Sequence, residues 1–207
     1  MKKLVLILWM LFLFGISGMA NAELIDRGGG LIYDDLLDIT WLQDANYART
    51  SGYDGDGLMT WSVAMCWATN SLVYYDSVRD VTWDDWRLPT TPGNNTGYWN
   101  EGEMGHLYYD ENIYATHEGP FYNVKSYHYW TGQTQSGDED NAYAFGFNSS
   151  NGGSQRTYDK DAYLYAWAVR DGDVGAPVPE PSTMLLLGAG LLGLIGIGRR
   201  KMKKSFG

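Results

Sequence analysis

The sequence has 207 residues, of which 25 are acidic and 15 are lysine or arginine, so its formal net charge is −10. Nucleic acid and acidic lipid are poor partners for such a surface, and the single cysteine excludes an intramolecular disulfide framework. All sixteen tyrosines and eight of the nine tryptophans lie between residues 23 and 177, an aromatic content that excludes a disordered chain there.

The N-terminus has the pattern of a secretory signal peptide. Lys2 and Lys3 precede an apolar run from residue 4 to about 15, and small residues follow up to Ala22. A charged start, a short apolar core and an A-x-A exit predict a signal peptide over 1–22, cleaved between Ala22 and Glu23. The alternative, an uncleaved anchor, does not explain the small residues at the exit.

Residues 23–177 are predicted to form one exported α+β domain, because 155 residues suit a single core. β-branched and aromatic runs predict strands at 31–33, 39–42, 128–132, 142–147 and 162–169. Helical spacing predicts a helix over 61–72 with Thr60 as its N-cap. A second helix is predicted to start near Asn100, with Glu103 completing a capping box. The sheets are expected to be small and mostly antiparallel.

The C-terminal segment 178–204 has three parts. Residues 184–198 carry no charge, and as a helix they would reach about 22 Å, enough for a thin membrane span if flanking residues extend it. The basic tail, 199–204, is expected to stay in the cytoplasm. The precursor is therefore predicted to be anchored in the inner membrane with residues 23–177 outside.

The residues before the span resemble the PEP-CTERM sorting signal. The resemblance rests on the order of a proline-bounded motif, a Gly/Leu-rich span and an Arg-rich end, with the motif formed by Val178, Pro179, Glu180, Pro181, Ser182 and Thr183. The resemblance implies processing by an exosortase, a membrane cysteine protease of Gram-negative bacteria. It also implies a host that makes extracellular polysaccharide, and a mature protein at the cell surface or in the matrix.

The exported part resembles a second family. The segments "GLIYDDLLDITWLQD", "LMTWSVAMCWATN", "DWRLPT", "EMGHLYYDEN", "HYWTG", "AYAFGF" and "YAWAVRDGD" are similar to Lcl C-terminal-type domains, which implies a C-type-lectin-like fold. Many relatives pair a helix cysteine with one in the last strand. Cys66 matches the first, but Ala168 stands at the second. Cys66 is therefore expected to be a buried free thiol, and an intermolecular disulfide stays open.

The sequence does not favour catalysis. Cys66 has no histidine neighbour, and His106, His117 and His128 lack the close spacing of a zinc site. The densest carboxylates, at 101–103 and 138–140, are explained by helix capping and a solvated turn. We expect a protein that is not an enzyme, with a glycan-acting enzyme as the less favoured alternative.

Sugar binding is the predicted function, with extracellular polysaccharide as the partner. Exposed aromatic rings stack on sugars, and the segment 130–141 combines an aromatic with a cluster of oxygen ligands. The candidate ligand-binding residues are Tyr98, Trp99, Trp130, Glu139, Asp140 and Asn141. Ca²⁺ is an optional ligand of Asp138, Glu139 and Asp140. Trp61, Trp86 and Trp167 are assigned to the core. The alternative is a structural or adhesion protein of the envelope or biofilm without a sugar ligand.

Overall fold

The computed structural model describes residues 23–93, 96–98, 101–149 and 152–175. The predicted signal peptide, the sorting motif and the predicted span at 184–198 lie outside these residues. Within the described ranges, no helix is long and apolar enough to cross a membrane.

The first sheet contains strands from both ends of the described chain. Its four antiparallel strands lie in the order β1-β2-β3-β10. They are β1 Leu24–Asp26, β2 Leu31–Asp34, β3 Ile39–Leu42 and β10 Val169–Asp171. β2 and β3 confirm two predicted strands, whereas the strand predicted over 162–169 is wrong for most of its length. Leu164 and Tyr165 make isolated bridges to different neighbours, so no continuous ladder forms there.

The second sheet has the strand order β6-β9-β8-β7 and is also antiparallel. Its strands are β6 Gly97–Tyr98, β7 His128–Thr134, β8 Asn141–Gly146 and β9 Ser154–Asp159. A separate two-stranded hairpin consists of β4 Tyr74–Asp76 and β5 Val81–Trp83. The mixed α+β class is confirmed, with mostly antiparallel small sheets.

The part of the chain that the structure describes also contains three short helices: α1 Tyr47–Thr50, α2 Trp61–Cys66 and α3 Glu103–Tyr109. A π-helical turn, Trp67–Ser71, continues α2. Thr60 occupies the N-cap position of α2, but its side chain makes no capping hydrogen bond.

The capping box predicted for the second helix is wrong. Gly102 is the N-cap of α3, with a φ of 87°, and Asn100 lies outside the described residues. The Glu103 carboxylate instead accepts hydrogen bonds from the Arg87 guanidinium and the Thr90 amide.

One aromatic core joins the sheets. Trp167 lies at its centre, with ring centroids 4.9 Å from Phe121 and 5.1 Å from Trp41. Tyr129 and Phe147 pack on the same ring from the second sheet. The core assignments of Trp86 and Trp167 are confirmed. Trp61 is half-buried and packs against the core, and the Lys160 ammonium lies over its ring, 4.5 Å from the centroid.

The predicted burial of Cys66 is wrong, since its side chain is exposed. The buried residues of this segment are Ala64, Trp67 and Ala68. At about 100° per residue, Cys66 points to the side of α2 opposite Ala64. Its thiol accepts a hydrogen bond from Asn70 Nδ2 at 3.8 Å.

We therefore expect Cys66 to react rapidly with a thiol reagent in the native protein, at a rate close to that in denaturant. Cys66→Ser should change the free energy of unfolding by about 0.5 kcal/mol or less, as exposed substitutions do. The check is a labelling time course by mass spectrometry with and without urea. Protection of the thiol in the native protein would contradict the exposed position.

Candidate functional site

The two aromatic candidates that the structure describes, Tyr98 and Trp130, differ in their exposure to solvent. Tyr98 is 75% exposed, whereas Trp130 is 0% exposed and donates its indole N–H to the Met59 carbonyl at 2.8 Å. The prediction that Trp130 stacks on a ligand is therefore wrong, because its ring belongs to the core. Trp99 lies outside the described residues.

Of the three residues proposed as calcium ligands, Asp138 uses its carboxylate within its own turn. Asp138 accepts hydrogen bonds from the Asp140 amide at 3.3 Å and from Asn141 Nδ2 at 2.7 Å. The Glu139 and Asp140 carbonyls accept from Lys160. Among the described residues, no group of three or more His, Cys, Asp or Glu side chains is arranged to hold a metal ion. The Asp138 carboxylate thus stabilises the turn, and Lys160 holds the turn's backbone.

Tyr98 instead lines an open cleft of about 370 Å³ at the edge of the second sheet. In the β6–β9 pair, Tyr98 stands opposite Ser154 and Gly97 opposite Gln155. Side chains two residues apart on a strand share a face, so Arg156 lies on the same face as Ser154 and Tyr98. We call this the Tyr98 cleft; its lining residues are Thr96, Gly97, Tyr98, Ser154, Gln155, Arg156 and Thr157.

Two polar groups of the Tyr98 cleft are available to a ligand. Arg156 is exposed and forms no ion pair with any described residue. The Ser154 hydroxyl is buried and lacks a hydrogen-bond partner within the described part of the chain. A buried hydroxyl without a partner costs free energy, so a ligand oxygen that reaches it would be stabilised. The sequence gives no signal for either residue, because their strand, β9, carries no run of apolar residues that would predict it.

His128 adds no charge near the Tyr98 cleft. Burial, and then the positive charge of Arg156, lowers the pKa of His128 to about 4. The imidazole is therefore neutral at neutral pH, and its ring packs on Tyr158 with centroids 5.1 Å apart. Arg156 is left as the positive charge of the cleft.

A second, acidic cleft of about 450 Å³ lies beside α3, and its lining includes Glu101, Glu103, His106 and Asp110. His106 Nδ1 is 3.0 Å from Asp110 Oδ2, and Nε2 is 3.3 Å from Asp34 Oδ2. Burial raises the pKa of Asp34 above its ordinary value, against the opposing effects of the Leu37 amide and His106.

Glu103 is not available as an acid or base in this acidic cleft. Both its oxygens accept from Arg87, at 2.7 and 2.9 Å, and one also accepts from the Thr90 amide at 2.6 Å. Arg87 also reaches Asp171 at 2.6 Å. These bonds tie α3 to the segment 87–90 and to β10, so the carboxylate has a structural role.

The C-terminal segment matches a known family of sorting signals. Residues 177–201 match the family model of the PEP-CTERM protein-sorting motif. The protein is thus a membrane-anchored precursor that is exported and sorted to the surface, with an exosortase as its processing partner. No curated protein and no solved structure matches the chain.

The last residue that the structure describes, Gly175, lies two residues before this sorting motif and is held by hydrogen bonds. The Gly175 carbonyl accepts from Arg79 Nε at 3.1 Å and Nη2 at 2.6 Å. Arg79 is itself paired with Asp76 at 2.6 Å, with side chains 5% and 0% exposed. Arg79 Nη2 also donates to the Arg27 carbonyl. A buried ion pair therefore anchors the last described residue to the β4–β5 hairpin.

Proposed function

We propose that the exported domain is a non-enzymatic carbohydrate-binding module of a surface or matrix protein, and that its ligand is the extracellular polysaccharide of the host. The observation that carries the proposal is the exposed Tyr98 ring beside the buried Ser154 hydroxyl and Arg156, which forms no ion pair within the described ranges. The resemblance to Lcl C-terminal-type, lectin-like domains supports it.

The chemistry of the Tyr98 cleft suits a sugar. The tyrosine ring offers a flat apolar face for a pyranose, and Arg156 donates hydrogen bonds to hydroxyl or carboxylate oxygens. The cleft is open, so a chain can pass through it. The domain is strongly acidic overall, and Arg156 is the group that offsets this charge where the ligand lies. Calcium is not needed for any of these contacts.

The test is retention of the mature, exosortase-processed protein on purified host polysaccharide. We expect Tyr98→Ala and Arg156→Gln each to weaken binding about tenfold, since the loss of one stacking or charge-assisted contact costs about 1.4 kcal/mol. A chelator should have no effect. Tyr163→Ala, which removes an exposed tyrosine outside the cleft, is the matched control and should bind like the wild type.

Two results would contradict a non-enzymatic sugar-binding role of the Tyr98 cleft. If the wild-type protein is not retained, the structural or adhesion role replaces sugar binding. If the protein cleaves the polysaccharide, the acidic cleft beside α3 replaces the Tyr98 cleft as the candidate site. The involvement of Glu103 with Arg87 argues against that second result.

A further inference from the structure

The point at which the chain leaves the folded domain defines a distinct surface. Three segments meet there, residues 26–30, 76–80 and 173–175, and we call this surface the exit face. Arg79 joins the three through the Arg27 and Gly175 carbonyls and the Asp76 carboxylate. Arg27 also pairs with Asp173 at 2.5 Å. The exit face is therefore a rigid part of the domain.

The distance from this face to the sorting motif is short. Val178 is three residues after Gly175, and a chain spans at most about 3.6 Å per residue. Val178 thus lies within about 11 Å of the anchored Gly175. A folded domain of this size has a radius of gyration of about 15 Å. An enzyme that acts on residues 178–183 must therefore approach the exit face to a distance shorter than the diameter of the domain.

The chemistry of the exit face favours a protein rather than a lipid surface. Its four aspartates and two arginines leave a formal charge of −2, and both arginines are paired. Asp26, Asp80 and Asp173 are exposed on the same three segments as Val78, which is 38% exposed and lies beside Gly28 and Gly29. An anionic membrane surface would repel this acidic rim.

We propose that the exit face docks on the exported surface of the exosortase during processing, with Val78 at the centre of the contact and the acidic rim against basic groups of the enzyme. The proposal rests on the exosortase processing that the sorting motif implies and is independent of sugar binding. Processing and polysaccharide retention are measured separately, so the failure of one is distinguishable from the failure of the other.

The experiment follows conversion of the full-length precursor to the processed form in the exosortase-bearing host, by pulse-chase and immunoblotting. We expect Val78→Arg to slow conversion about fivefold, because it places a bulky positive charge where close approach is required. Ser77→Arg, at the neighbouring exposed position, should act in the same direction. The matched control is Val63→Arg, a change at a valine on α2 that is 41% exposed and outside the exit face.

An insertion variant tests the tether itself. Six Gly/Ser residues inserted between Gly175 and Ala176 add up to about 20 Å of reach, and they should return Val78→Arg to within about twofold of the wild-type rate. Thermal melting of the processed proteins verifies that the variants fold. Conversion of Val78→Arg as fast as Val63→Arg would overturn the proposal. A slow rate that the insertion does not relieve would also overturn it, because the effect would not then depend on proximity.

Discussion

Trp167→Ala is expected to lower the free energy of unfolding by about 3–5 kcal/mol, the range for removing a large buried aromatic side chain. The indole lies between Trp41 and Phe121 of the core. It also donates its N–H to the Leu42 carbonyl at 2.7 Å, so alanine leaves both a cavity and an unpaired carbonyl. Urea denaturation followed by circular dichroism measures the loss.

Two variants separate these contributions. Trp167→Phe keeps an aromatic ring but loses the hydrogen bond, so its destabilisation should be smaller than that of alanine. Tyr163→Ala, four residues earlier and exposed, should change the free energy of unfolding by about 0.5 kcal/mol or less. Equal destabilisation by Trp167→Ala and Tyr163→Ala would contradict the central position of Trp167.

Asp76→Ala is expected to destabilise the domain by about 3–5 kcal/mol, because it leaves the Arg79 charge buried without its partner. Asp76 also accepts hydrogen bonds from the Val78 and Arg79 amides and from the Trp83 indole. The measurement is urea denaturation at pH 7. Asp171→Asn, at a carboxylate that is 80% exposed although paired with Arg87, is the control and should cost about 1 kcal/mol or less.

The pH dependence of stability distinguishes the charge of Asp76 from its shape. Burial alone would raise the pKa of Asp76, but hydrogen bonds from Arg79, the Val78 amide and Trp83 outweigh it, so the pKa lies below its ordinary value of 3.8. The unfolded state therefore binds more protons near and below pH 4. The contribution of the Asp76 charge is complete above about pH 5 and is lost as the pH falls through the lowered pKa. The difference between wild type and Asp76→Asn should shrink over the same range, and a constant difference would contradict this assignment.

Patterns within short segments predicted much of the fold. Strands β2, β3, β7 and β8 and helix α2 all occur close to their predicted positions. The strands are rich in β-branched or aromatic residues, and α2 has apolar residues at helical spacing. Both patterns are visible without the rest of the molecule. The strand β9 was missed because its sequence, SQRTYD, is mostly polar. Pairing with β8 on one side and β6 on the other makes it a strand.

The candidate site could be predicted only in part. Tyr98 was selected as an aromatic candidate, and the structure exposes it. Trp130 was selected by the same criterion, but a backbone carbonyl 71 residues away holds its indole in the core. The family resemblance predicted a buried Cys66, but two helical steps of about 100° turn its side chain away from the face on which Ala64 is buried.

The sequence by itself determined the α+β class, the four strands β2, β3, β7 and β8, and the sorting motif. These strands and the motif each depend on the order of residues within one short stretch. Only the tertiary structure decided which aromatic rings are exposed. It also decided that Glu103 accepts hydrogen bonds from Arg87, and that the Asp76–Arg79 pair binds the carbonyl of Gly175. These roles depend on distance and burial. Tyr98 and Ser154, or Arg79 and Gly175, are far apart along the chain and become neighbours only when the sheets pair and the core excludes water.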